Sequence, residues 1–267
     1  MPEGDTIARS AAVLRDALVG RRVTAATAQP RPGLRSVPRM ERVTGTTISA
    51  VESRGKHLLI GFDNGLTLRT HLRMSGSWHR YRPGERWWRP AREATVVIET
   101  SEAVAVCFNA PTAELLTATE LARNATLNAL GPDLLSHDFE PDAVVARLRT
   151  RHATEIANAL LDQEALAGIG NVYKSEVLFL ERTNPWTDVS ALDDARLHAI
   201  VATARRLLRA NLRGGARVTT GARSPGNALW VYGRAGRPCR RCGTQIQSAR
   251  QGELARSTYW CPRCQPG

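Results

Sequence analysis

The chain has 267 residues, 42% of them apolar, enough to bury a substantial core as one large domain or two modest ones. A formal charge of +12 and an isoelectric point near 10.6 point to a polyanionic partner, nucleic acid first, because each phosphate neutralised by a cation releases condensed counterions. No segment approaches the roughly 20 apolar residues of a membrane span, and the acidic, polar start MPEGDT lacks the regions of a signal peptide, so a cytoplasmic enzyme is expected.

Ile7, Ala11, Leu14 and Leu18 recur at helical spacing and Gly20 is placed to end that helix, so the N-terminus sits on a helix start. From about Val23 to Phe108 the pattern shifts to short β-rich runs. HLLIGF and LTLRTHL are joined through Asp63, Asn64 and Gly65 as a hairpin, and ATVVIET and AVAVCF follow. Residues 1–130 are therefore expected as an N-terminal antiparallel β-sandwich with a flanking helix. Gly131, Pro132 and Pro141 punctuate a polar linker, 131–142. Beyond it DAVVARLR, EIANALLDQ, the segment after AGIGN and the run from Asp193 to Leu212 read as helices. A helical domain is expected over 143–227. The tail, 228–267, is short-stranded and too small to hold itself together by apolar burial. The class is α+β, multidomain.

That tail carries Cys239-x2-Cys242-x18-Cys261-x2-Cys264, two knuckles whose thiolates complete a tetrahedral zinc site. Two disulfides are the competing pairing, but they belong to oxidising compartments and no export signal supports one here. Four thiolates leave no open coordination position, so the expected zinc is a single structural ion, with no catalytic metal or organic cofactor. Arg234, Arg237, Arg240, Arg241, Arg250, Arg256 and Arg263 surround the knuckles and give the module positive charge for phosphate. The fifth cysteine, Cys107, lies in a strand-like run and reads as a core thiol.

Only Lys56 and Lys174 are lysines among the 37 basic residues. In so arginine-rich a background a retained lysine marks a place where a compact ammonium on a flexible stem is wanted. Lys56 follows Arg54 and Gly55 at a hairpin; Lys174, inside the helix beginning VYKSEV, reads as a surface residue.

MPEGDT, SRGKHLLI, LLDQEALAGIGNVYKSEVLF and LARSTYWCPRCQ together resemble bacterial endonuclease VIII and formamidopyrimidine-DNA glycosylase, in the expected order along the whole chain. The resemblance implies a bifunctional DNA glycosylase and abasic-site lyase of base excision repair. Its fold would be an N-terminal β-sandwich, a helix-two-turn-helix module and a zinc-finger β-hairpin, with DNA in the cleft between the halves. The implied partner is damaged double-stranded DNA, with single-stranded or bubble DNA left open, and the implied enzyme is a nucleoid-associated monomer.

By the same resemblance Pro2, exposed when Met1 is removed, attacks C1′ of the damaged nucleotide, displaces the base and forms an iminium that permits β and then δ elimination. A secondary amine suits this chemistry, and an α-amino group starts at roughly 8, within reach of neutrality near cations and a helix N-terminus. On its own, Pro2 would simply start a helix. Glu3 is the implied general acid and base, and Asp5 caps or supports the site. Lys56 is implied to hold a phosphate near the damaged sugar; a rival nucleophilic role for its amine is the lesser reading. Asn171, at the AGIGN turn, is implied to add a phosphate donor and equally suits a plain helix N-cap. Arg256 matches the zinc-finger arginine that grips the phosphates beside the lesion and aids catalysis.

An enzyme acting at C1′ must rotate its nucleotide out of the stack and fill the void. HLRMSG is the expected wedge, with Met74 intercalating and Arg73 touching the estranged base; a core position is the alternative for Met74. The chain departs from both relatives at Asp5 and Thr6, where proline and glutamate are common. It also has CFNAPTAELL in place of the arginine- and phenylalanine-bearing loop of the formamidopyrimidine enzyme. That favours the endonuclease VIII branch and oxidised pyrimidines. Two rivals remain: a catalytically silent binder of abasic or branched DNA, and a zinc ribbon attached to an unrelated enzyme acting on RNA.

Overall fold

The computed structural model describes residues 2–222, 224 and 226–267, in two compact units, Met1–Asn128 and Ala129–Gly267. Met1, on whose removal the Pro2 amine depends, lies outside the described residues.

The first unit opens with α1 (Gly4–Leu18), whose Ile7, Ala11, Leu14 and Leu18 are buried as their spacing requires. Gly20 follows at φ 78°, a conformation that only glycine adopts without strain. Eight strands come next: β1 (Val23–Ala28), β2 (Ile48–Arg54), β3 (His57–Phe62), β4 (Thr67–His71), β5 (Ser77–Tyr81), β6 (Ala94–Thr100), β7 (Val104–Phe108) and β8 (Thr112–Leu116). They form two four-stranded antiparallel sheets, ordered β1-β6-β7-β5 and β2-β3-β4-β8. One apolar core joins both sheets and α1, with Val51, Leu58 and Ile60 from one and Trp78, Ile98 and Ala105 from the other. This is the expected antiparallel sandwich with its flanking helix. Along β7 the period of two is strict: Ala105 and Cys107 enter that core, while Val104, Val106 and Phe108 form a second cluster on the opposite face. Burial pushes the Cys107 thiol up, so it is a core residue and no nucleophile. Two short helices, α2 (Ala118–Ala122) and α3 (Ala125–Asn128), end the unit.

The second unit holds α4 (Pro141–Arg149), α5 (Ile156–Ala159), α6 (Asn171–Leu180), α7 (Asp194–Ala210) and the hairpin β9 (Gln247–Gln251) and β10 (Arg256–Trp260). The helix expected over EIANALLDQ is cut to α5, because the chain turns after Leu160. Ala165 and Leu166 N–H both bond Asp162 O, and the Gln163 amide ties together Leu161 O, Ile169 O and Gly168 N–H. This double turn delivers the chain to α6. The 131–142 stretch, expected as a linker, is bonded to it: Gly131 N–H donates to Gln163 O (2.8 Å), and Leu134 is buried in the helical core. A Cβ at Gly131 would meet the Ala165 backbone at 2.6 Å, which is why glycine stands there. The tail has only a small core of Phe179, Val231, Ile246 and two of its cysteines. Among the described residues no helix is long and apolar enough to cross a membrane.

Candidate functional site

In the first unit Pro2 lies half-buried ahead of α1, and Glu3 is the helix N-cap residue, buried, its carbonyl accepting from Thr6 N–H (2.9 Å) and Ile7 N–H (3.1 Å). The Glu3 side chain makes no cap hydrogen bond. Asp5 is also buried, accepts from the Thr6 hydroxyl (3.2 Å) and pairs with Arg9 at 3.9 Å.

Two hydrogen bonds give the direction of α1. Arg15 Nε donates to Val51 O (2.9 Å) and Gly20 N–H to Ile48 O (2.8 Å), so stepping back along the helix steps forward along β2. A rise of 1.5 Å per residue carries Pro2 about 20 Å from Arg15, and β2 runs about 10 Å from Val51 to Arg54 before the Gly55–Lys56 turn. Pro2 and Glu3 therefore lie towards the end of the unit that carries the Gly55–Lys56 turn. The register pairs His57 of β3 with His71 of β4, which brings the turn bearing Arg73 and Met74 to that end too.

The electrostatics of this end are cationic. His57 and His71 have ring centroids 4.7 Å apart. Burial, then His71, Arg69, Lys56 and Arg54, lowers His57 to about 3; burial, then Arg73, Lys56 and Arg69, lowers His71 to about 4. The imidazoles stay neutral at pH 7 because burial, and after it the neighbouring positive charge, disfavours the protonated form, and that positive field attracts phosphate. Met74 is 63% exposed, which removes the core alternative, and Arg73 stands at φ 45°. Their turn closes by Gly76 N–H donating to Leu72 O (2.9 Å), and a Cβ at Gly76 would meet that same oxygen at 2.6 Å.

In the second unit the structure corrects two readings. Asn171 is the first residue of α6 and Gly170 is its N-cap, so Asn171 is not a cap. Its Nδ2 donates to Ser257 O (2.7 Å), and its buried Oδ1 has no partner among the described residues. Lys174 is not on the surface: it is 1% exposed, and its Nζ donates to Thr258 Oγ1 (2.7 Å) and Ser257 O (3.2 Å). Helix α6 is packed on almost every side, which the sequence pattern of a half-exposed helix did not suggest. Both side chains grip the start of β10, directly after Arg256, which is half-buried where the strand leaves its turn. The structure thus brings Asn171 and the Arg256 strand together within one unit.

Glu176 also escaped the sequence reading. Its buried carboxylate accepts from Trp230, Val231 and Tyr232 N–H, each at 2.8 Å, and from the Thr219 hydroxyl. Burial raises its pKa and those four donors oppose the rise. It anchors the segment leading into the cysteine module. A buried acid among apolar residues was the available signal.

The four tail sulfurs lie within 4.8 Å of one another, with Cys239–Cys264 at 3.9 Å and Cys242–Cys261 at 3.4 Å. Tetrahedral thiolates about 2.3 Å from zinc stand about 3.8 Å apart, so the set fits a closed zinc centre. Hydrogen bonds from Thr244 hold Cys242 down at about 6, while burial and the other thiols push Cys264 up to about 12. A shared cation is what lets all four sulfurs be thiolates at once at so short a spacing.

Family models match three stretches: formamidopyrimidine-DNA glycosylase N-terminal domain over residues 1–113, its H2TH domain over 130–222, and a zinc finger found in FPG and IleRS over 236–267. The chain is 45% identical to a probable endonuclease 8 2 of Streptomyces coelicolor, covering 100% of this chain and 95% of the relative. It is 42% identical to a DNA-(apurinic or apyrimidinic site) lyase of Mycolicibacterium smegmatis, covering 99% of both, and 34% identical to endonuclease 8 of Escherichia coli, covering 99% of this chain and 100% of that one. Among solved structures, a Lactococcus lactis formamidopyrimidine-DNA glycosylase bound to abasic-site DNA superposes with a TM-score of 0.84 over 100% of both chains at 24% identity, a likeness of fold.

Proposed function

Because the chain belongs to the formamidopyrimidine-DNA glycosylase and endonuclease VIII family and is a base-excision DNA glycosylase and abasic-site lyase, we propose that Pro2 is its nucleophile and oxidised pyrimidines are its bases. The carrying observation is the placement of Pro2 and Glu3 towards the end of the first unit that bears Lys56 and the Met74 turn.

In this reading the Pro2 nitrogen forms a bond to C1′ as the glycosidic bond breaks and the base leaves with its electron pair. Glu3 protonates the ring oxygen as the sugar opens, giving an iminium, then moves the protons of β and δ elimination. Lys56 holds a phosphate. Asn171 and Arg256 hold others, Asn171 through the second N–H of its side-chain amide, the first being given to Ser257 O. Arg73 and Met74 fill the gap left by the rotated nucleotide. The four cysteines, with zinc bound, keep β9 and β10 in shape for Arg256. The pyrimidine preference is supported by the residues of the β7–β8 connection, Asn109, Ala110 and Pro111, which lack the arginine and phenylalanine of the formamidopyrimidine enzyme's loop; Asn109 is held by Glu93 and Arg31.

Borohydride reduction in the presence of abasic-site DNA tests this reading. The processed protein should form a covalent adduct at Pro2, and a residue placed ahead of Pro2 should abolish the adduct while leaving binding intact. Full binding without an adduct would make the chain a silent abasic-site binder. A panel of single-lesion duplexes then ranks pyrimidines against 8-oxoguanine.

A further inference from the structure

The connection between β5 and β6 folds over the outer face of its sheet and carries two adjacent tryptophans that face different ways. Trp87 turns inward, stacked on Tyr81 with centroids 6.1 Å apart and edge-on to Phe108 at 5.9 Å. Trp88 turns outward and is 82% exposed. It is nonetheless held: its backbone N–H donates to the Tyr81 hydroxyl (3.2 Å), and its ring stands edge-on to His79 at 5.9 Å and to Tyr81 at 6.4 Å. A lone exposed apolar side chain is ordinary; one fixed in place with its face open to solvent is a prepared surface.

The surroundings say what it fits. Arg80, Arg82, Arg86, Arg89 and Arg92 lie within the same stretch, against Glu85 and Glu93. Glu93 is paired with Arg89 (2.8 Å) and bonded by Asn109 (2.9 Å), while Glu85 accepts from the Arg82 backbone N–H (2.8 Å); the exposed Arg80, Arg82, Arg86 and Arg92 outnumber that one remaining carboxylate, so the face is cationic. Arg89 also donates to Ser75 O (3.3 Å) and Ser77 Oγ (3.2 Å), which ties this surface to the turn carrying Met74. A flat aromatic face bordered by arginines matches one chemistry, a base stacked on the ring with its phosphates paired to guanidinium groups. Bases in a continuous duplex have both faces occupied by their neighbours, so the matching partner is an unpaired strand.

We propose that Trp88, with the exposed Arg82 and Arg86, is a stacking platform for an unpaired DNA base beside the Met74 turn, separate from the groups that react with the lesion. It extends the binding surface to DNA whose strands are parted next to the damage, as in a bubble or at a single-stranded extension. The assignment does not depend on the chemistry of Pro2.

The test uses the full chain and a tetrahydrofuran abasic analogue, which has no aldehyde to react, placed in a fully paired duplex or in the same duplex with a single-stranded extension. Wild-type protein should bind the extended DNA more tightly. Trp88→Ala should lose about tenfold on the extended DNA, as the removal of one stacking partner does, with no change on the paired duplex, while Trp88→Phe keeps most of the gain. A 5-iododeoxyuridine in the extension should crosslink on irradiation to the peptide containing Trp88. Equal losses on both DNAs, no loss on the extended DNA, or crosslinks that map elsewhere would overturn the proposal.

Discussion

Lys174 Nζ lies 2.7 Å from Thr258 Oγ1, and through this contact helix α6 holds the strand that begins with Arg256. The Thr258 hydroxyl in turn donates a hydrogen bond to Gln251 Oε1 (2.6 Å), and Gln251 Nε2 donates to Glu155 Oε2 (2.7 Å) and Pro185 O (3.0 Å). A buried polar chain of this kind is stable only while each member is satisfied. Lys174→Met keeps the length of the side chain but strips Ser257 O and Thr258 of a charged donor. It should cost about 1–3 kcal/mol of stability and weaken DNA binding. Thermal unfolding and a binding isotherm check both, and an unchanged melting temperature would show that the network contributes nothing.

Gly76→Ala should disturb the Met74 turn from within. The added methyl meets backbone, Leu72 O at 2.6 Å, and backbone has no rotamer with which to retreat. The expected cost is about 1–3 kcal/mol, accompanied by weaker binding to abasic-analogue DNA, because Met74 and Arg73 shift with the turn. Binding equal to that of the parent would mean that the turn tolerates rearrangement.

Acid should destabilise the first unit earlier than carboxylate titration alone does. Unfolded imidazoles take up protons near pH 6.5, whereas folded His71 holds off until about 4 and His57 until about 3. Protons therefore favour the unfolded chain as the pH falls below 6.5, by up to about 1.4 kcal/mol per pH unit for each histidine. The stability is fully present above pH 6.5 and falls away towards the folded values. His57→Gln should flatten the denaturation midpoint between pH 6.5 and 4; a slope unchanged from the parent would remove His57 as its source.

Stripping zinc with a strong chelator should open the tail, whose small apolar core cannot hold it. Limited proteolysis should then cut within residues 236–267 while the first unit stays intact, and DNA affinity should fall. Cys261→Ser should reproduce the effect and lower the bound zinc measured by mass spectrometry. Survival of full affinity after metal loss would contradict a structural role.

The sandwich, α1 and the zinc spacing were legible because each rests on a local periodicity or a fixed ligand interval. Lys174 was not. Its neighbours on the helix give a pattern that allows exposure, and its partners Ser257 and Thr258 lie more than eighty positions away, so no local rule could pair them. The scarcity of lysine was the usable clue, and it applied to Lys174 as fully as to Lys56. The loss of the EIANALLDQ helix has a local origin instead. Gln163 folds back on Leu161, Gly168 and Ile169, and this side-chain tie outcompetes helical propensity. The Trp88 surface had no sequence signature beyond composition, because direction, inward for Trp87 and outward for Trp88, is set by the connection that carries them.

The two lysines also simplify any chemistry aimed at amines. Lys174 is sealed and doubly bonded, out of reach of acylating or reductive-methylating reagents in the folded state. Lys56 is the side-chain amine left for such reagents to address, beside the α-amino group. With Met1 removed, as the Pro2 proposal requires, peptide mapping of a labelled or trapped sample has a binary outcome, Pro2 or Lys56, and on that proposal DNA should protect both amines, a readout that needs no engineered tag or mutation.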